Sequence, residues 1–296
     1  MNNKKILLVG DNPFQGVSHL SQGRVRERSQ EVSDPQYCAN LIKIATQNGA
    51  SGFMFSISQS TLAILGILNR SRQMPRLYAI APAASDYVRL ASRMGTPGLI
   101  TYLIKQIITS RNYGSIGSGF KGILTRNPAD LMKAYVYYEL SRIKSATTSY
   151  TNPYSFLLHE IVTEMGIALN LEWLFKEYID FLLGLKIKPG FETRNSPMLI
   201  ERLTKWGVDP TQVVIVAPFN AIGFQMCPSR EACEKAVLNV PDAEVIAMSA
   251  LASGYLKIPA AIDYINHLPQ LKGIVVGISN DQQARDFKIF REALVG

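Results

Sequence analysis

Eight short, unbroken apolar runs recur along this chain, most of them followed by a stretch with helical character. They are Ile6–Gly10, Gly52–Ile57, Leu77–Ala81, Phe156–Ile161, Gly190–Thr193, Val213–Ala217, Val245–Ser249 and Gly273–Ile278. Continuous apolar runs of this length, rather than in/out alternation, mark parallel strands buried on both faces. Eight of them in 296 residues, with helices between, predict an α/β fold of the (β/α)8 TIM-barrel type. The competing architecture, a doubly wound sheet, calls for an early glycine-rich nucleotide turn that this chain lacks. Such barrels carry their chemistry at the C-terminal ends of the strands. Polar residues collect there: Asp11 and Asn12, Ser56 and Ser58, His159 and Glu160, Glu192 to Asn195, Asn220, Ser249, and Ser279 with Asn280.

Composition narrows the setting. A 47% hydrophobic fraction is enough to fill a barrel and its ring of helices, so residues 1–296 are expected to form one domain. Cys38, Cys227 and Cys233 make neither a disulfide framework nor a metal or redox pair, which points to a reducing, cytoplasmic setting. No apolar stretch reaches the length of a membrane span, and Ala168–Leu185 carries four charges that mark it as an amphipathic surface helix. The net charge of +8 suits a solvated basic surface or a small anionic ligand. Without a long Lys/Arg block or an aromatic-basic module, the chain points away from nucleic acid.

The β/α rhythm has two departures. The first loop, from Ser18 to Pro35, is long for a barrel and is expected to shape the mouth, with His19 within reach of it. Residues 83–155 form an expected helical insertion between strands 3 and 4, with helices near 84–94, 97–110 and 128–145. Because it follows strand 3, it is expected to rise from the C-terminal face, as a lid over the mouth or as a homo-oligomer contact. Its Gly114–Gly119 run reads as a flexible connector.

Three strand-end groups form the candidate catalytic set: His159, Glu192 and Asp11, expected to converge at one mouth. Asn12, Arg194 and Asn195 are the candidate substrate-binding residues, with Arg194 able to clamp a carboxylate or phosphate. An Asx turn would use Asp11 and Asn12 equally well, and Arg194 could instead pair with a neighbouring glutamate. No ligand-spaced pair supports a metal site. Ser279 and Asn280 precede the last helix, where free amides favour a phosphate, and Ser249 and Ser253 would lie alongside after strand 7.

Several segments resemble the aldo/keto reductase superfamily. VIAMSALASGYL and GIVVGISNDQQARDF are similar to its last two strand–loop segments, and GFETRNSPMLIERL to its strand 5, with Asn195 at the asparagine position. In VAPFNAIGF, Phe219 and Asn220 fall at the aromatic residue that stacks on a nicotinamide and the asparagine after it. In SFLLHEI, His159 falls at the active-site histidine. The resemblance implies an NADP(H)-linked oxidoreductase, with Phe219, Asn220, Ser249, Ser253, Ser279, Asn280 and Arg285 near the cofactor. Most of the superfamily's catalytic tetrad has no counterpart. Strand 2 ends in serines, no tyrosine occurs in 58–71, strand 3 ends at Ala81-Pro82, Arg194 stands for a serine, and Val216 for a glutamine. Two other classes therefore stay open: a non-redox lyase or isomerase working through His159 and Glu192, and a non-catalytic binding protein.

Overall fold

The computed structural model describes residues 4–15, 33–83, 93, 127–147 and 152–295. His19, the Gly114–Gly119 run and most of the expected lid lie outside these residues.

The strands are β1 (Ile6–Gly10), β2 (Gly52–Ser56), β3 (Arg76–Ala81), β4 (Ser155–Leu158), β5 (Lys188–Glu192), β6 (Val214–Pro218), β7 (Glu244–Met248) and β8 (Leu271–Gly277). They form a closed barrel in sequence order, every pair parallel. Closure comes from β1 against β8, running from Ile6 beside Gly273 to Gly10 beside Gly277. Each apolar run of the sequence holds a strand, with ends that match or move by at most three residues. The largest shift is at β4. It stops at Leu158, and the chain turns helical at Glu160, inside what read as a strand.

Side-chain alternation divides the apolar residues into two layers. Leu8, Met54, Tyr78, Ile80, Leu157, Val214, Val216 and Ile246 fill the barrel interior. Their strand neighbours, such as Leu7, Val9, Phe53, Phe55, Phe156 and Ile215, face the helices and form the larger core. Both faces of every strand are buried, which is why the sequence shows unbroken runs.

The ring helices begin where side chains cap them. Asp34 accepts from the Gln36 amide at α1 (Pro35–Gln47), and Ser58 closes a capping box with Thr61 at α2 (Gln59–Arg70). The described part of the insertion is α3 (Pro128–Ala146), capped by Asn127. It packs between α2 and α5 (Glu172–Gly184), the ring position of a helix that follows β3. The helix expected over Ala168–Leu185 is α5, which starts later, at Glu172; α4 (Glu160–Ala168) ends just before it, and Asn170 between them takes φ 51°. No helix among the described residues is long and apolar enough to cross a membrane.

The N-terminal end of the barrel is plugged by charge rather than by apolar side chains. Buried Glu244 accepts from Tyr154 Oη at 2.7 Å, Lys188 Nζ at 2.8 Å and Tyr78 Oη at 3.4 Å. The Arg76 guanidinium stacks 4.6 Å above the Tyr154 ring. The polar strand-end residues lie at the opposite, C-terminal end of the barrel.

Candidate active site at the C-terminal mouth

Asp11 follows β1 and enters a 3-10 turn, Asn12–Gln15. Its carboxylate does more than cap that turn. It accepts from the Ser56 amide at the end of β2 at 2.9 Å and from Gln15 Nε2 at 3.2 Å, while Gln15 also donates to Ser58 Oγ at 3.0 Å. Asp11 therefore ties the ends of β1 and β2 together. It is 3% exposed, and its hydrogen-bond partners are all neutral. Burial pushes its pKa up to about 6, against the pull of those hydrogen bonds. Asn12 stays exposed at the start of the turn.

Glu192 ends β5 in the same alternation as Lys188 and Gly190, so it faces the barrel interior. Below it, a Cβ on Gly190 would lie 2.7 Å from Leu157 Cγ, so only glycine fits the layer beneath the carboxyl. The side chain keeps an exposed edge, but protein surrounds its carboxyl group. Oε2 accepts weakly from the Glu160 amide at 3.4 Å. Burial first, then the negative charges of Glu160 and Asp11, raise its pKa to about 7. The charge of Asp11 is one of the smaller influences on Glu192, so the ends of β1 and β5 lie within electrostatic reach of each other.

His159 sits at the end of β4 as the N-cap of α4, with Nδ1 accepting from the Ile161 amide at 3.2 Å. Burial lowers its pKa, Glu160 raises it and Arg194 lowers it again. The ring is thus neutral, with Nδ1 committed as an acceptor. Glu160 and Arg194 act on both His159 and Glu192, so the three candidate catalytic groups share one electrostatic neighbourhood. Strand alternation would have turned Glu160 away from the mouth. Because β4 has already ended, Glu160 instead opens α4 and returns toward β5.

Arg194 does not stand open to a ligand. It grips Glu160 with Nε at 2.8 Å and Nη2 at 3.0 Å. Neither neighbouring glutamate weighed from the sequence, Glu192 or Glu201, is the partner. Asn195 is likewise committed, accepting from the Met198 amide to cap α6 (Ser196–Lys205). The loop between them wraps around Glu164, which takes the Thr193 hydroxyl and the amides of Arg194 and Asn195. Glu160 and Glu164 are four apart on one helix face, a spacing that could have revealed them as partners of the Thr193–Asn195 loop.

The residues that the resemblance implied for a nicotinamide lie elsewhere. Phe219 is fully buried in the core between strands and helices, because it follows interior-facing Pro218 and alternation turns it outward. Asn220, also fully buried, exchanges two hydrogen bonds of 2.8 Å with the Phe224 backbone and so closes the loop after β6. These corrections come from strand parity and loop closure, neither visible in a motif. Ser249 donates to Gln225 at 3.3 Å and has φ 54°, and Ala252 and Ser253 are left-handed too. Three such non-glycine residues within one loop are a costly arrangement, of the sort that gathers at functional sites.

The last expected feature was an anion site at the final helix. That helix, α7 (Asp281–Arg285), is only five residues long before the chain bends into α8 (Phe287–Leu294). It offers little dipole, and Asp281 already occupies its first turn. Asn280 caps it, while the Ser279 amide and hydroxyl both donate to Gln283 Oε1, at 2.7 and 3.0 Å. Arg285, exposed, lies 3.8 Å from Asp281. Any anion held here rests on side chains, not on a helix terminus. Among the described residues no three His, Cys, Asp or Glu side chains gather as a metal-binding group.

No protein-family model matches the chain, and no curated protein matches it. Among solved structures, two from Pseudomonas aeruginosa, each described as a "putative aldo-keto reductase", superimpose at TM-score 0.57 and 14% identity. The alignments cover 97% of this chain and 89% and 90% of theirs. At that identity the likeness is one of fold: over nearly its whole length, this chain is a (β/α)8 barrel on the plan of those two proteins.

Proposed function

We propose that this protein is an oxidoreductase of aldo/keto-reductase type that reduces a small carbonyl compound with NADPH at the C-terminal mouth of its barrel. One observation carries the reading. Among the described residues, the carboxyl groups of Asp11 and Glu192 lie at strand ends of the mouth with no cation in contact with either, and carboxyl groups perturbed in this way gather where a reaction uses them. The chain-long likeness to barrels described as aldo-keto reductases supports the same class.

The cofactor's fit divides in two. Half-exposed Ser253, Ser279 and Asn280, with exposed Arg285, would hold its phosphates on the loops after β7 and β8. Gln283, the exposed partner of Ser279, is easily displaced. The nicotinamide contacts implied for Phe219 and Asn220 do not fit, since both are buried and Asn220 is committed to its own loop. When bound, the dinucleotide supplies a hydride. Asp11 and Glu160 outweigh Arg194 around the described mouth, so a neutral carbonyl suits it better than the anion suggested by net charge. Cys38, Cys227 and Cys233 form no disulfide, which supports work in a reducing, cytoplasmic setting.

The test is an NADPH fluorescence titration, followed by NADPH-dependent reduction of a panel of aldehydes and ketones. We expect saturable binding and turnover. An unchanged signal up to millimolar NADPH would sink the reading and leave the non-redox alternative, which draws on the same carboxyl groups.

A further inference from the structure

We propose that Cys227 and Cys233 form a dithiol site that a peroxide oxidises to an intramolecular disulfide. This site is independent of the reductase reading, since it uses neither the carboxyl groups of the mouth nor a cofactor. A spacing of six conceals the pair in the sequence, and the start of a helix brings it together. Ser229 caps the helix Arg230–Leu238, accepting from the Ala232 amide at 3.2 Å. Residues just before an N-cap fold back over the first turn of the helix they enter, which is how an apolar pair can staple a helix start. Cys227 lies two residues before the cap, and Cys233 is the fourth residue of the helix. The Cys233 thiol donates to the Cys227 carbonyl oxygen at 3.4 Å, so the sulfur of one cysteine rests on the backbone of the other.

The two thiols differ in the way such a reaction needs. Cys227 is exposed and Cys233 is buried, so a peroxide meets Cys227 first and Cys233 acts second, from inside the protein. Both backbones are anchored. The Cys227 amide donates to the Arg194 carbonyl at 3.0 Å, and the Cys233 amide donates to the Ser229 carbonyl at 3.1 Å. A disulfide needs its Cβ atoms about 3.5–4.5 Å apart. A thiol already on its partner's carbonyl reaches that separation with a turn of the exposed Cys227 side chain. Among the described residues no third His, Cys, Asp or Glu joins the pair as a metal-binding group, so its donor set is that of a dithiol. Because Arg194 pairs with Glu160, the dithiol stands one backbone hydrogen bond from the mouth.

In the first step the Cys227 sulfur attacks one peroxide oxygen. The O–O bond breaks, an S–O bond forms, and the departing oxygen takes the thiol proton and leaves as water or an alcohol. In the second step the Cys233 sulfur displaces the hydroxyl of the Cys227 sulfenic acid. The S–S bond forms, the S–O bond breaks, and the hydroxyl leaves as water with the Cys233 proton. The two thiols together lose two electrons and two protons, and the peroxide is reduced by the same two electrons.

The experiment exposes the reduced, unaltered protein to hydrogen peroxide, in an excess that fully oxidises free cysteine in the same buffer. Mass spectrometry then reads the protein before and after dithiothreitol. The mass is expected to fall by two hydrogen atoms and to return on reduction. Trypsin cuts after Arg230, between the two cysteines, so the bridge appears as peptide 206–230 joined to peptide 231–235. Cys233→Ser is expected to lose the joined peptides and to stop at a sulfenic acid on Cys227, trapped by dimedone. Cys227→Ser is expected to lose them too and to keep Cys233 reduced. The joined peptides are read in the unaltered protein, so poor folding of a variant does not hide the answer. Three results would overturn the proposal: Cys227 oxidised to the sulfonic acid beside a Cys233 that is still a thiol, a bridge between the Cys227 residues of two copies, or both thiols left free. None of them touches the reductase reading, which NADPH binding decides separately.

Discussion

Glu192 and Asp11 make the native state bind protons that the unfolded chain releases. Both pKa values are raised in the fold, to about 7 and about 6, chiefly by burial. For a raised carboxyl group the stabilising contribution is complete below the unfolded pKa and is lost as pH climbs through the folded one. Stability should therefore fall between about pH 4 and pH 7, the reverse of the usual gain for salt-bridged carboxylates. Glu192 alone should account for about 2–3 kcal/mol of that fall. Urea denaturation at a series of pH values checks this, and Glu192→Gln should flatten the slope. A stability that rises across that window would contradict the burial of both groups. This residue-level behaviour was not legible in the sequence. Asp11 and Glu192 could be named from their places at strand ends, but their protonation depends on what surrounds them.

At the scale of elements, the loop after β6 shows how a motif can name a residue without giving its job. Asn220 was expected beside a nicotinamide; instead its amide group pairs both ways with the Phe224 backbone. Asn220→Ala would leave a buried amide and carbonyl unsatisfied, at a cost of about 1–3 kcal/mol. Thermal unfolding should show it as a lowered Tm, and an unchanged Tm would mean that the loop closes by other means. Helix α4 carries a similar lesson. The sequence SFLLHEI read as one strand through Ile161, yet the strand ends at Leu158 and His159 caps a helix. Apolar runs do not show where one period gives way to the other, and the shift changed Glu160 from an outward strand residue into the partner of Arg194. Capping, by contrast, is local: Asp34, Ser58 and Asn195 each sit immediately before the helix whose first amides they receive.

At the scale of the whole molecule, the two barrel ends divide the work. Stability at the N-terminal end rests on Glu244, which joins Tyr78, Tyr154 and Lys188 from three other parts of the chain. Glu244→Ala takes the carboxylate away from Lys188, Tyr154 and Tyr78 in a largely buried plug, leaving Arg76 as the neighbour of both tyrosines, and should cost about 3–5 kcal/mol. Denaturant titration would read that loss, while a change below about 1 kcal/mol would mean that water replaces the carboxylate. The same replacement should leave NADPH affinity alone, because the plug lies at the opposite end from the mouth.

The sequence by itself determined the barrel. Burial on both strand faces writes itself as eight unbroken apolar runs, and their order along the chain is the order around the sheet. It also marked the strand ends where chemistry belongs, because polar residues stop those runs. What only the tertiary structure decided is which of those polar groups remain available. Arg194, Asn195 and Asn220 are taken up by partners, Phe219 is turned outward by strand parity, and the carboxyl groups of Asp11 and Glu192 are left buried, with Glu192 feeling the charges of Glu160 and Asp11. Burial, pairing and electrostatic coupling depend on distances between residues far apart in the chain, and a linear pattern of residue types does not encode those distances.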